Sequence, residues 1–153
     1  MEEGRGPGGD VPQTRRGKEA RVIVRRPEEV DAQAMTIPGA QGVTMKLMVG
    51  RDDGAPNFAM RLFTVEPGGQ TPKHAHNYEH EVMIVAGQAQ VYDQTADEER
   101  PAAAGDVLYI PANQTHQFRN TSNTPLQFMC LVPTSYDCSV DPAAPELAAT
   151  PGS

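Results

Sequence analysis

The sequence predicts an all-β domain of short antiparallel strands, and three observations carry that expectation. Apolar residues alternate with period two over several short stretches, which is the pattern of half-buried strands. Gly, Pro, Asn and Asp punctuate those stretches, and Gly and Pro together supply 28 of the 153 residues. No stretch carries helical spacing at length. Roughly eight strands in about 110 residues must close into a sandwich, a barrel or a jelly roll, because an open sheet would leave its edges exposed. Periodicity does not choose among the three.

Taken in order, residues 1–19 are rich in Gly, Pro and charge and hold hardly an apolar side chain. They read as a flexible N-terminal tail, and residues 134–153, which have little to bury, as a flexible C-terminal one. Between them residues 20–133 form one domain. Strands are expected near Arg21–Arg25, Val43–Val49, Phe58–Val65, Glu81–Val85, Ala89–Tyr92, Val107–Ile110, Gln117–Arg119 and Leu126–Val132. The segment Pro27–Met35 reads either as a helical turn, with Pro at its start and acids in its first turn, or as an irregular surface loop.

Composition narrows the function classes. A chain of this length buries roughly two-thirds of the surface that its unfolded form exposes, so it needs no disulfide or zinc staple. The longest apolar runs, such as Val82–Ala86, fall far short of the roughly 20 residues of a spanning helix, so no membrane partner is expected. The opening MEEGRGPGGD has no apolar stretch of the kind found in secretory signals, which makes the cytoplasm the expected location. Cys130 lies in an apolar run and Cys138 in a polar one, a spacing with no disulfide or C-x-x-C logic. Residues 1–26 carry a net +3 and residues 27–153 a net −10. That acidic body repels nucleic acid, and the basic cluster Arg15, Arg16, Lys18, Arg21, Arg25 and Arg26 lacks interleaved aromatics or a reading helix.

All four histidines fall in two segments, Gly69–His80 and Gly105–Asn120. Alternation along a strand points His74 and His76 to one face, and His80 has the same parity. His116 must be brought opposite them by the fold. Neutral imidazoles suit Mn, Fe, Co, Ni, Cu or Zn and are poor ligands for Mg or Ca.

The run Gly68-x5-His74-x-His76-x3-His80 resembles the first cupin motif, G-x5-H-x-H-x3,4-E-x6-G. Gly105-x5-Pro111-x-Asn113-x2-His116-x3-Asn120 matches the second, G-x5-P-x-G-x2-H-x3-N, except that Asn113 replaces the inner Gly. Asn tolerates the left-handed backbone for which Gly is used, so that change is mild. The run Tyr78–Gly87, with His80 where the usual Glu stands, resembles small single-domain cupins that bind metal through four histidines. Glu81 and Glu79 are competing registers for that ligand, although parity turns Glu81 away from His74 and His76. They are also candidates to orient the imidazoles.

The resemblance implies a double-stranded β-helix, or jelly-roll, barrel spanning about Phe58 to Val132. It implies one divalent transition metal per chain held by His74, His76, His80 and His116, with Mn or Fe favoured and Ni, Cu, Co or Zn as alternatives. Four neutral ligands leave a divalent ion at formal +2, which favours anions and lowers the pKa of bound water. The same resemblance places the strands carrying Arg61 and Cys130 along the cavity. Arg61, Phe118, Phe128, Cys130 and Val132 are therefore the expected substrate pocket, with core packing the ordinary alternative for the apolar ones. Arg61 interrupts the apolar run FAMRLFTV, so an inward side chain needs an anionic partner.

The activity expected is that of a non-haem Mn- or Fe-dependent dioxygenase-like enzyme acting on a small oxygenated molecule. The alternatives are a non-redox isomerase, lyase or epimerase-like enzyme, and a non-catalytic cupin that binds a metal or small ligand. The resemblance also implies a homodimer in which Arg21–Arg25 crosses to the partner's sheet.

Overall fold

The structure, a computed structural model, describes residues 20–136. The expected tail at residues 1–19, with Arg15, Arg16 and Lys18, and residues 137–153, with Cys138, lie outside the described residues.

Nine strands follow one another: β1 (Gln33–Ala34), β2 (Gln41–Val49), β3 (Phe58–Gln70), β4 (His80–Ala86), β5 (Gln88–Asp93), β6 (Glu98–Ala103), β7 (Val107–Ile110), β8 (Phe118–Arg119) and β9 (Leu126–Pro133). They form one curled antiparallel sheet in the order β6-β5-β8-β3-β9-β4-β7, with β2 also on β3 and β1 on β2. Strand β3 makes the curl possible. Its residues up to Val65 pair with β2 and β9, whereas its last residue, Gln70, lies between Gln41 of β2 and Arg119 of β8. The two halves of the jelly roll are thereby joined through one long strand, and β6 and β7 end the path.

Burial follows the alternation from which the strands were expected. In β9, Leu126, Phe128, Cys130 and Val132 are buried while the residues between them are half-buried. In β4, His80, Val82 and Ile84 face in, and Glu81, Met83 and Val85 face out. Register then stacks side chains in layers. Phe63 and Ile84 pair with Phe128, Val65 with Leu126, and Arg61 and Val82 with Cys130. The rings of Phe63, Phe128 and Phe118 stack at 5.1 and 4.3 Å and fill the barrel. Such filling is what keeps a small barrel closed.

Several expectations change. Arg21–Arg25 forms no strand within the described chain, and Val22 and Val24 are 94% and 80% exposed. Their alternation has no sheet of this chain to face. Arg25 is held instead by Asp53, to which its guanidinium donates at 2.8 and 3.1 Å, and by the Met48 carbonyl. Pro27–Met35 begins with a 3-10 turn at Pro27–Glu29, in keeping with the helical reading, but continues into the short strand β1, which neither reading included. Thr134–Tyr136, expected in the C-terminal tail, form another such turn against the barrel, with Thr134 buried and Tyr136 packed on the core.

Asn113 has φ 67°, the left-handed backbone that its replacement of Gly requires. Gly87, at φ 79°, joins β4 to β5, and a Cβ there would sit 2.4 Å from the Pro125 carbonyl oxygen. No helix among the described residues is long and apolar enough to cross a membrane.

Candidate metal centre

The two histidine segments meet. His74 and His116 form an isolated antiparallel bridge, each backbone N–H donating to the other's carbonyl at 3.1 and 2.9 Å. The preceding Thr71 fixes the approach. Its N–H donates to the Phe118 carbonyl, and its hydroxyl accepts from the Phe118 N–H, both at 2.9 Å. On the far side the Asn113 N–H reaches the His76 carbonyl. Asn120 closes the second segment from a buried position, its amide donating to the Val65 and Thr124 carbonyls at 2.9 and 2.8 Å.

His74, His76 and His116 each bring one ring nitrogen within 4.8 Å of the others. His116 Nδ1 lies 2.9 Å from the Gln114 carbonyl, to which a protonated Nδ1 donates, leaving Nε2 as the free lone pair. Burial, followed by repulsion from neighbouring charged rings, lowers the pKa of His74 to about 3 and of His76 to about 2. Burial also lowers those of His80 and His116. These rings are neutral at pH 7, and neutral imidazole is the form that ligates metal.

His80 stands beside this set. It is 4% exposed, and its ring lies 4.7 Å from that of His76, nearly parallel to it, and 5.0 Å from that of His116. Its Nδ1 is 3.2 Å from Cys130 Sγ, while its buried Nε2 has no hydrogen-bond partner among the described residues. A buried nitrogen without a partner costs stability unless something satisfies it. That donor set, three converging imidazoles with a fourth alongside, fits a divalent transition ion.

The three imidazoles expected on one strand are not on one. His74 and His76 precede β4 in a loop, and only His80 belongs to the strand. Alternation survives without a ladder, since Tyr78 and His80 are buried and Asn77 and Glu79 exposed. Glu81 is also exposed. Both acids are exposed, and the Gln114 carbonyl and Cys130 stand at the ring nitrogens of His116 and His80.

A cavity of about 30 Å³ adjoins the histidines. Arg61, Phe118, Phe128 and Cys130 line it, as expected, and Arg61 is buried at 2% exposure. The Arg61 guanidinium lies 5.0 Å over the Phe63 ring and donates to Cys130 Sγ at 3.8 Å. Val132 departs from the expectation. It is buried in the core opposite Ala59, one layer away, and does not line the cavity.

Motif reading missed several residues. Met35, Phe63, Thr71 and Pro72 also line the cavity, and nothing in their spacing marks them. Tyr78 stacks on His76, His80 and Tyr136 at 4.8, 5.2 and 4.1 Å. Its parity with the histidines was the available signal.

The barrel and its paired histidine segments have the jelly-roll architecture of the cupin fold. Residues 61–132 match the cupin domain model. The chain is 28% identical over 116 residues to the oxalate-binding protein of Thermotoga maritima, covering 72% of this chain and 93% of that one. It is 33% identical over 89 residues to 1-methylthio-D-xylulose 5-phosphate methylsulfurylase of Rhodospirillum rubrum, covering 58% and 56%. Among solved structures it resembles the polyketide cyclase RemF from Streptomyces resistomycificus, with TM-score 0.71, 25% identity, and coverage of 74% and 80%.

Proposed function

We propose that this chain is a metal-dependent cupin enzyme acting on a small oxygenated organic molecule. His74, His76 and His116, joined by His80, hold one divalent transition ion per chain. The convergence of three neutral imidazoles, two buried and that of His74 half-buried, carries the reading. Such an ion supplies Lewis acidity towards an enolate, diol or phenolate oxygen and, when it is Fe or Mn, electron transfer as well.

The chain's own residues divide the remaining work. Met35, Phe118 and Phe128 keep the cavity apolar and exclude bulk water, which strengthens every charge inside it. Arg61 lines the same wall, its guanidinium over the Phe63 ring and donating to Cys130 Sγ. Cys130 and the Gln114 carbonyl hold two imidazoles by their Nδ1 atoms.

Dioxygenase-like chemistry with Fe or Mn is the reading expected from the motifs. Non-oxidative ring closure, isomerisation or elimination on the same centre draws support from the likeness to a polyketide cyclase. An oxygen electrode and anaerobic assays with Fe-, Mn- and Zn-loaded protein on catechols and β-diketones separate them. Oxygen consumed in proportion to substrate supports the oxygenase, and turnover without oxygen supports the second. Binding without turnover under any condition contradicts both and leaves a ligand-binding cupin.

The homodimer belongs to the same proposal. The exposed alternation of Arg21–Arg25 supports it, because an apolar edge of this kind calls for a neighbouring sheet. A monomer by light scattering contradicts it.

A further inference from the structure

The cavity at the histidines is too small for the substrate proposed above. About 30 Å³ holds a water molecule or two, whereas sites for organic ligands run to roughly 300–1,000 Å³. Space of that size lies on the other side of His116. A groove of about 570 Å³ runs along the seam between β6 and β7, the two strands that end the sheet path. His116 lines both spaces.

The groove has a graded character. Val91, Ala102 and Ile110, all buried, give it an apolar floor, and Leu108 and the exposed Tyr109 give it a wall. Its one cation is locally balanced, since Arg100 Nη1 lies 3.6 Å from Asp93. Asp106 caps a turn, accepting from the Ala103 N–H at 2.8 Å. The groove thus offers no excess positive charge and favours a neutral, partly apolar group, while the metal-centre end is the one that would take an oxygen donor.

We propose that the seam groove binds the body of the substrate: a neutral, ring-bearing group whose oxygen-bearing head reaches the histidines past His116. This rests on the metal-centre reading. Selectivity among oxygenated molecules then resides in the groove, and the small cavity admits only the head.

Calorimetric titration of Zn-loaded full-length protein with catechol and with 2,3-dihydroxynaphthalene tests it. The two probes share a chelating head, and the second adds a ring. The naphthalene diol is expected to bind about tenfold tighter than catechol, an advantage that Leu108→Trp, which fills the groove, removes. Tyr109 is exposed, so Tyr109→Ala keeps the fold and is expected to reduce the advantage several-fold. An equal affinity for both probes in the unaltered protein overturns the groove. So does an advantage unchanged in Tyr109→Ala or in a folded Leu108→Trp. Catechol that fails to bind at all overturns the metal-centre reading, and the groove falls with it.

Discussion

Two layers of one barrel are made by the same three strands and do opposite things. Along β3 and β9 the inward residues of one layer are Arg61 and Cys130, with Val82 of β4 in register and His80 one step back along β4; the next layer holds Phe63, Ile84 and Phe128. The second layer buries apolar surface and stacked rings, which stabilises the fold. The first, with His80 beside it, buries a guanidinium, an imidazole and a thiol, polar groups whose burial costs stability. A two-residue step along a strand is therefore enough to pass from the part that holds the molecule together to the part that acts.

The contrast breaks most sharply in the apolar layer. Phe128→Ala removes a ring stacked on two others and is expected to cost roughly 3–5 kcal/mol, read by denaturant unfolding of the metal-free protein. A loss under about 1 kcal/mol would mean that the layer collapses around the gap, and that the division is wrong.

The histidine layer is expected to respond to pH where the apolar layer cannot. Its rings are neutral in the fold and titrate near pH 6.5 when unfolded, so on acidification the unfolded chain takes up protons first. Stability of the metal-free protein should be flat above about pH 6.5 and fall below it, by about 1.4 kcal/mol per pH unit for each such ring. For His74 the decline continues until the folded ring itself protonates, at about 3. Unfolding free energies measured between pH 8 and 5 check this, and equal stability at the two ends would contradict it.

The smallest expected change sharpens the boundary between the layers. Cys130 lies in the polar layer, and its Sγ meets His80 Nδ1 at 3.2 Å. Cys130→Ala should weaken metal binding roughly tenfold by competition titration, with Cys130→Ser closer to the unaltered protein. Equal metal affinity in all three would make Cys130 core packing alone.

Much of this division was legible in the sequence. Period-two alternation located seven of the strands, because each has a buried and a solvated face. It missed the two-residue β1 and also β6, whose sequence EERPAA is exposed at every position but Ala102 and carries a Pro permitted only at an edge. It stopped β3 at Val65, five residues short, because Pro67, Gly68 and Gly69 read as a break. RVIVR shows the converse failure, since alternation records a demand for a sheet and not where that sheet is. At the site, spacing identified the four histidines, and parity turned His80 inward and Glu81 outward. Spacing says nothing about what lies opposite in another strand. Thr71, Pro72 and Met35 on the cavity wall, Val132 off it, and the Gln114 carbonyl behind His116 emerge only from the fold.

The central claim is that these histidines form one metal site, and metal content tests it most directly. After dialysis against Mn, Fe or Zn, elemental analysis is expected to find about one equivalent per chain, with most of it lost in His116→Ala and His80→Ala and retained in Glu81→Ala. No bound metal, or full occupancy in His116→Ala, would contradict the account.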